Sequence, residues 1–354
     1  MHSWVLNDLL TIALAHRASD VHLAVGQPPK MRSQGALVLL PLSALLPVLP
    51  GEDTLSTEAL HDMLRTKMQA TAWEQFLAGE EVDFSFSVQA LGRFRANAFM
   101  QQHGAGVVLR HIPEHIPSLA DLHTPAVLVQ LLQHVGLLLV TGPTGSGKST
   151  TLAAMVQHLN QHTQQHIVTL EDPIEFVHTS ANSHITQREM GQHSGSFAHA
   201  LRAALRQDPD VLLIGELRDL DTIRLALTAA ETGHLVLASL HTRHAAASIE
   251  RMVDVFAAHE KALVRTQLSE ALVGVVSQTL LPVARIHSHG PERCAVFETL
   301  VATPAVRHLI REGKSAQLQS VLQTGAAFGM QTMAQAMQEA IALGRVRDTR
   351  VAPE

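Results

Sequence analysis

The chain has 354 residues, 46% of them hydrophobic, enough for about two domains with buried cores. Its net charge is −6 with histidines neutral, so no basic field draws it to nucleic acid, and 3% aromatic residues leave few platforms for base stacking. A single cysteine, Cys294, excludes an internal disulfide and a multi-cysteine zinc site and suits a reducing cytoplasm.

The start, Met1-His2-Ser3-Trp4, has no charged region ahead of an apolar core, and Asp8 interrupts the apolar run, so no secretory signal is expected. Leu6, Leu9, Leu10, Ala13 and Leu14 recur at helical spacing, in a helix expected to end near Ala18. Val21 to Val25 reads as a strand, closed by Gly26-Gln27-Pro28-Pro29. Residues 35–51 carry no charge and are the most membrane-like segment. They fall short of the roughly 20 residues a spanning helix needs, and Pro41, Pro47 and Pro50 break them. A strand followed by an apolar loop is expected there, and any membrane link is expected to be peripheral. Residues 57–78 read as helical. From Asp83 to Ile112 the texture is β: Arg93 to Ala98 alternates, Gln101 to Gly106 reads as a turn, and Val107 to Ile112 returns. Residues 1–112 are thus a small α+β domain, followed by a linker, 113–125, punctuated by Pro113, Pro117 and Pro125.

In the second domain, 126–354, apolar strands alternate with helices, the pattern of a mainly parallel α/β sheet. The strands are expected at Gly136–Thr141, His166–Leu170, Val211–Ile214 and Leu235–Leu240, and the tail from about residue 300 reads as helical. Many of the 23 histidines sit beside glutamine, which points to a scattered polar surface rather than a metal cluster.

The run Gly142, Pro143, Thr144, Gly145, Ser146, Gly147, Lys148, Ser149 and Thr150 fits G-x-x-x-x-G-K-[ST], between a buried strand and a helix. Its glycines let backbone N–H groups turn inward around phosphates, and the helix N-terminus adds partial positive charge. Lys148 is expected to reach the phosphates of ATP, and the Ser149 hydroxyl to ligate Mg²⁺. Parallel sheets bind ligands at the carboxyl ends of their strands. That rule selects Glu171 and Asp172 with Glu175 nearby, then Gly215-Glu216, then His241-Thr242. Glu216 is the first choice for the base that orients water, with Glu171 and Asp172 acting on Mg²⁺ and its waters. Gly215 stands where many phosphate-loop proteins have Asp, so Glu216 is also a candidate for the metal's water shell. His241 is a candidate γ-phosphate sensor; an imidazole satisfied elsewhere is the alternative. His234 lies at the opposite end of the same strand, roughly 20 Å away, and is not placed on the same nucleotide.

If the hairpin folds symmetrically about Gln101–Gly106, Asn97 opposes Arg110, and alternation puts Arg95 on the face of Arg110 with Arg93 nearby. Clustered cations on one face repel unless an anion meets them. A γ-phosphate is one candidate, giving Arg95 and Arg110 an arginine-finger role; pairing with Asp and Glu of the same domain is the other.

These residues together resemble the secretion ATPase superfamily of type IV pili and type II secretion, most closely its pilus retraction (twitching motility) ATPases. The likeness runs through nearly the whole chain: Ala18 to Leu23, Arg93 to Phe99, Gly142 to Thr150, the Asp-box-like Glu171 to Phe176, the Walker-B-like Asp210 to Glu216, and a His-box-like stretch from Thr232 to Thr242. The resemblance implies a PAS-like N-terminal domain, a RecA-like core and a homohexameric ring. Each N-terminal domain would dock near a neighbour's nucleotide. It implies ATP turnover that drives pilin back into the inner membrane through an inner-membrane platform protein, from a cytoplasmic, peripheral position. It makes Glu216 the catalytic glutamate, puts Glu171 in the Asp box, aligns Arg95 and Arg110 with phosphate-contacting arginines, and assigns both His234 and His241 to the His box. The single cysteine and the start at the PAS-like section favour retraction over assembly. So does Ala305 to Glu312, which is similar to the retraction signature AIRNLIRE with Val306 and His308 replacing Ile and Asn. The apolar 37–50 stretch departs from the family, which is usually more polar there. The competing readings are an accessory retraction paralogue or an assembly ATPase, an ATP-binding regulatory subunit with slow turnover, and a nucleic-acid translocase. The acids at strand ends count against a pure binder, and the acidic balance against the translocase.

Overall fold

The computed structural model describes residues 5–33, 35–42, 54–112, 114–191, 193–284 and 293–347. The chain divides into two compact units, residues 1–115 and 116–354.

The first unit contains α1 (Leu6–Ala15), β1 (Asp20–Ala24), β2 (Lys30–Ser33), β3 (Ala36–Leu39), α2 (Thr57–Arg65), α3 (Ala70–Leu77), β4 (Val82–Val88), β5 (Gly92–Gln101) and β6 (Gly104–Ile112). The strands form one antiparallel sheet in the order β3-β2-β1-β6-β5-β4. Leu9, Leu10, Leu60, Leu64 and Phe76 of the helices bury one sheet face with Leu23, Phe86, Phe94 and Leu109. Alternation along β5 leaves its intermediate positions, Arg93, Arg95 and Asn97, on the other face.

Several expectations need correction here. The first helix stops at Ala15, three residues early. The stretch 57–78 is two helices with a break at residues 66–69. The expected strand after Gly35 forms as β3, but residues 43–50 of the expected apolar loop lie outside the described residues. The β5–β6 hairpin turns on Gln102-His103 rather than on Gln101–Gly106, because the ladder continues to the Gln101↔Gly104 pair. The tighter turn slips the pairing by two residues. Arg110 therefore faces Arg95, not Asn97, which pairs with Val108. A slip of two preserves the face, so Arg95 and Arg110 do share it.

The second unit contains α4 (Val127–Leu131), β7 (Gly136–Thr141), α5 (Lys148–His162), β8 (His166–Glu171), β9 (His184–Glu189), α6 (Phe197–Ala204), β10 (Val211–Ile214), α7 (Leu220–Glu231), β11 (Leu235–Leu240), α8 (Ala245–Asp254), α9 (Lys261–Ala271), β12 (Leu272–Pro282), β13 (Arg293–Val301), α10 (Pro304–Arg311), α11 (Leu318–Thr324) and α12 (Met333–Ala342). The sheet order is β13-β12-β7-β11-β10-β8-β9, parallel except for β13, which is antiparallel to β12. The four expected strands are present, and the sheet gains β9, β12 and β13. Both faces are covered. Leu137, Leu139, Leu212 and Ile214 meet α6 to α9 on one side; Leu138, Val140, Val211 and Leu213 meet α5 on the other. Two-sided burial is why these strands are unbroken apolar runs. Among the described residues no helix is long and apolar enough to cross a membrane.

The segment between β8 and β9 folds back over α5. Buried Asn160 donates to Thr179 O (2.8 Å) and accepts from the Ala181 N–H (2.9 Å). His178, in the same segment, contacts Gln157 Oε1 at 3.3 Å, and burial drives its imidazole down to about 4.

Two stability predictions follow from this packing. Phe94 is 1% exposed and stacks on Phe86 at 5.7 Å, so Phe94→Ala should cost about 3–5 kcal/mol. Hydrogen exchange on the full chain should show the loss in β4 to β6 and leave β7 to β12 protected. His178 takes up its proton more readily unfolded than folded. Its stabilising contribution is therefore complete above about pH 6.5 and fades as pH falls toward 4. By pH 5 the loss should be about 2 kcal/mol, and His178→Gln should shrink the difference between urea unfolding at pH 7.5 and pH 5 by that amount.

Candidate active site

The phosphate loop joins β7 to α5. Gly142 has φ of 150°, and a Cβ there would collide with the Gln278 carbonyl of β12 and approach Ser146 Oγ to 2.5 Å. Only glycine fits so close to a neighbouring strand. Gln278 also holds the loop directly, donating from Nε2 to Ser146 O (2.6 Å). Gln278 was not singled out in the sequence, because β12 was not expected.

Lys148 is buried at the start of α5. Its ammonium donates to Gly142 O (2.8 Å) and Pro143 O (3.2 Å) and lies 3.5 Å from His241 Nδ1. Burial holds its pKa below the ordinary lysine value, and the carboxylates of Glu216 and Glu175 oppose that. Glu216 follows β10 by one residue past Gly215. The carbonyl of Gly215 accepts from Ser239 Oγ (2.5 Å), and a Cβ on Gly215 would stand 3.2 Å from Leu170 O. A side chain at 215 would thus be tight against β8, and the acid stands at the next residue, Glu216. Glu216 Oε1 is 2.9 Å from His241 Nε2, and Oε2 is 2.7 Å from Arg218 Nε. With Lys148 donating to Nδ1, the proton of His241 is assigned to Nε2, donating to Glu216. Lys148, His241 and Glu216 thus form one chain of polar contacts. His234 is at the far end of β11, held by Ala229 O (2.9 Å).

Glu171 ends β8. Its Oε1 accepts from Thr169 Oγ1 (2.6 Å) and Gln187 Nε2 (3.2 Å). Burial pushes its carboxyl up to about 7, while the Thr169 and Gln187 hydrogen bonds work against the rise. Asp172 is half-exposed, 3.9 Å from Arg218. Arg218 therefore stands between Asp172 and Glu216, a residue the sequence analysis did not single out.

The donor set fits a nucleotide with Mg²⁺. Ser146 Oγ is buried without a hydrogen-bond partner, in a loop whose backbone and Lys148 carry positive charge. Ser149, exposed in the first turn of α5, and Asp172 offer the oxygen ligands that Mg²⁺ prefers. Among the described residues no group of three His, Cys, Asp or Glu is placed to hold a metal by itself.

In the first unit Arg95 lies 3.7 Å from Asp83, and Arg110 donates to Asp20 at 2.8 Å. Arg93 donates to Ser85 Oγ (2.6 Å). The alternative of pairing within the domain is therefore the arrangement present.

Comparison with known proteins gives the same direction throughout. Residues 2–349 match the family described as type II/IV secretion system protein. The chain is 47% identical over 342 residues to the type IV pilus retraction ATPase PilT of Pseudomonas aeruginosa, covering 96% of this chain and 95% of that one. It is 51% identical over 301 residues to a twitching motility protein of Neisseria gonorrhoeae, covering 85% and 78%. A crystal structure of the pilus retraction motor PilT with bound ADP superposes with a TM-score of 0.86 at 39% identity, covering 99% of this chain and 98% of that one. The chain belongs to the type II/IV secretion system protein family and is one of its phosphate-loop ATPases.

Proposed function

We propose that the chain is an ATP-hydrolysing motor that powers type IV pilus retraction, working as a homohexameric ring against an inner-membrane platform protein and, through it, on pilin. The observation that carries the reading is the contact chain from Lys148 through His241 to Glu216 at the carboxyl edge of the sheet. A cation, an imidazole and a carboxylate in contact beside the phosphate loop support this reading, in a chain 47% identical to a retraction ATPase with 96% of its length covered.

In this reading the backbone of Gly142 to Thr150 cradles the phosphates of ATP, and Lys148 exchanges its two carbonyl partners for phosphate oxygens. Ser149 and Asp172 would hold Mg²⁺, directly or through water, and the ion would supply charge neutralisation to the phosphates. Glu216 orients the attacking water and accepts its proton. His241, already bonded to Glu216, reports the state of the γ-phosphate to that base. Glu171 orders water beside the metal position. Arg95 and Arg110 contact the phosphate of a neighbouring subunit's nucleotide, for which Arg95 leaves Asp83. Exposed ion pairs such as Arg95–Asp83 contribute about 1 kcal/mol or less, so phosphate displaces this one readily.

Glu216→Gln should lower phosphate release by about 10²-fold or more while sparing ATP binding, and Lys148→Ala should lose both. Parental turnover in Glu216→Gln would remove it from the base role. Deleting the gene should leave cells with many immotile pili; bald cells would indicate extension instead. Sedimentation with ATP and magnesium should show a hexamer, and a permanent monomer would sink the ring.

A further inference from the structure

The segment after Glu171, residues 172–178, is irregular, yet it carries Asp172, assigned above to Mg²⁺, and Glu175. What fixes it is β9, the edge strand of the sheet. Gln187 and Glu189 are two residues apart on β9 and so share a face. Both are spent on this segment. Glu189, buried, accepts from the Ile174 N–H through Oε2 (3.0 Å). Gln187 makes three contacts: Nε2 donates to Phe176 O (2.9 Å) and to Glu171 Oε1 (3.2 Å), and Oε1 accepts from the His178 N–H (2.7 Å). Register pairs Gln187 with Thr169 across the β8–β9 ladder. Thr169 is the other side-chain donor to Glu171 Oε1. The two cross-strand partners therefore converge on one carboxylate oxygen, and the amide of Gln187 ties that oxygen to Phe176 and His178 at the end of the following segment.

A side-chain amide is suited to this task. Its N–H₂ and C=O satisfy a carbonyl, a carboxylate and an N–H at once, and it adds no charge beside an enclosed acid. A carboxylate in the same place keeps only the His178 contact and sets like charges side by side. An apolar side chain of equal length keeps the packing and loses all three bonds.

We propose that Gln187 is a positioning residue for ATP hydrolysis: it fixes the direction in which Glu171 presents its carboxylate and holds residues 172–178 in register with the phosphate loop. The inference rests on the assignment of Glu171 to the hydrolytic site. Gln187 itself touches neither nucleotide nor water in this scheme, so its removal acts on turnover rather than on binding.

The test uses the full chain, with ATP and magnesium for turnover and a fluorescent ATP analogue for binding. Gln187→Met should lower kcat about tenfold, with KM for ATP and analogue affinity within about twofold of the parent. Gln187→Glu should be at least as impaired, because the His178 contact alone does not orient Glu171. Thr169→Val should lower kcat in the same sense, and the Thr169→Val, Gln187→Met double variant should be non-additive, since both act through one oxygen. Gln187→Glu at parental kcat would reduce Gln187 to a loop anchor and overturn the proposal. A loss of nucleotide affinity equal to the loss of kcat would overturn it too, as general damage. Glu171→Gln is the control. If Glu171→Gln is inactive and Gln187→Met is at parental turnover, only this inference fails. If Glu171→Gln turns over like the parent, the assignment of Glu171 fails and the inference goes with it. Should Gln187→Met not fold, Gln187→Glu and Thr169→Val decide the same question.

Discussion

Everything at the carboxyl edge of the second sheet is arranged around one buried cation. Lys148 is taken out of water at the base of α5, where an ammonium without partners is strongly unfavourable. Two carbonyls of its own loop meet it, and an imidazole stands at the limit of hydrogen-bond reach. Carbonyl dipoles stabilise such a charge only in part, and burial lowers its pKa accordingly. Two carboxylates, Glu216 and Glu175, act on this charge from a distance, and Glu216 is itself directed to His241 and Arg218, so no carboxylate is bonded to the ammonium.

The sheet topology decides which groups surround that cation. β7 lies between β11 and β12, and β11 is followed by β10 and β8. Strands adjacent in space thus end on the loop, on His241, on Glu216 and on Glu171, though these residues are far apart in sequence. β12 contributes from the other side, where Gln278 fills the space under the loop and excludes any side chain from Gly142. Arg218 then joins Glu216 to Asp172, so a change of charge at either acid is felt by the other through one guanidinium. Glu216, Asp172 and His241 therefore form a single electrostatic unit rather than three independent residues.

The parts of this arrangement that were legible in the sequence share a cause. Strands buried on both faces are uninterrupted apolar runs, so β7, β8, β10 and β11 could be placed, and with them the residues at their ends. β12 is as apolar, but α9 runs into it with Leu272 serving as the helix cap and no turn residue between them, so periodicity alone did not separate helix from strand. β9, His-Ile-Thr-Gln-Arg-Glu, hides for the opposite reason. Its polar side chains are used to hold a loop, and a strand used that way has no apolar signature. Gln187 was invisible with it. The β5–β6 register was missed by two residues because the turn was expected over Gln101 to Gly106, whereas Gly104 and Gly106 both lie within the ladder. Face, which depends only on parity, survived that error; partners did not.

The same separation of buried from exposed roles explains the two departures from the retraction signature in α10. Thr303 caps this helix by accepting from the Val306 N–H, and Pro304 occupies its first turn. Val306 is fully buried, so a β-branched residue one methylene smaller than isoleucine changes packing only slightly. His308 is exposed and sits in the last turn, where an imidazole is compatible with the helix dipole. Two of the positions kept, Arg307 and Arg311, make the contacts with α9. Arg307 donates to Ala302 O (3.0 Å) and to the carbonyls of Ser269 and Glu270 (2.5 Å each) at the end of α9, and Arg311 pairs with Glu270. These are the carbonyls a helix end leaves unsatisfied, so α10 is fastened to α9 through the backbone itself. α9 runs directly into β12, and β12 carries Gln278 under the phosphate loop. The tail helix and the phosphate loop are therefore joined by a contiguous run of helix, strand and one amide.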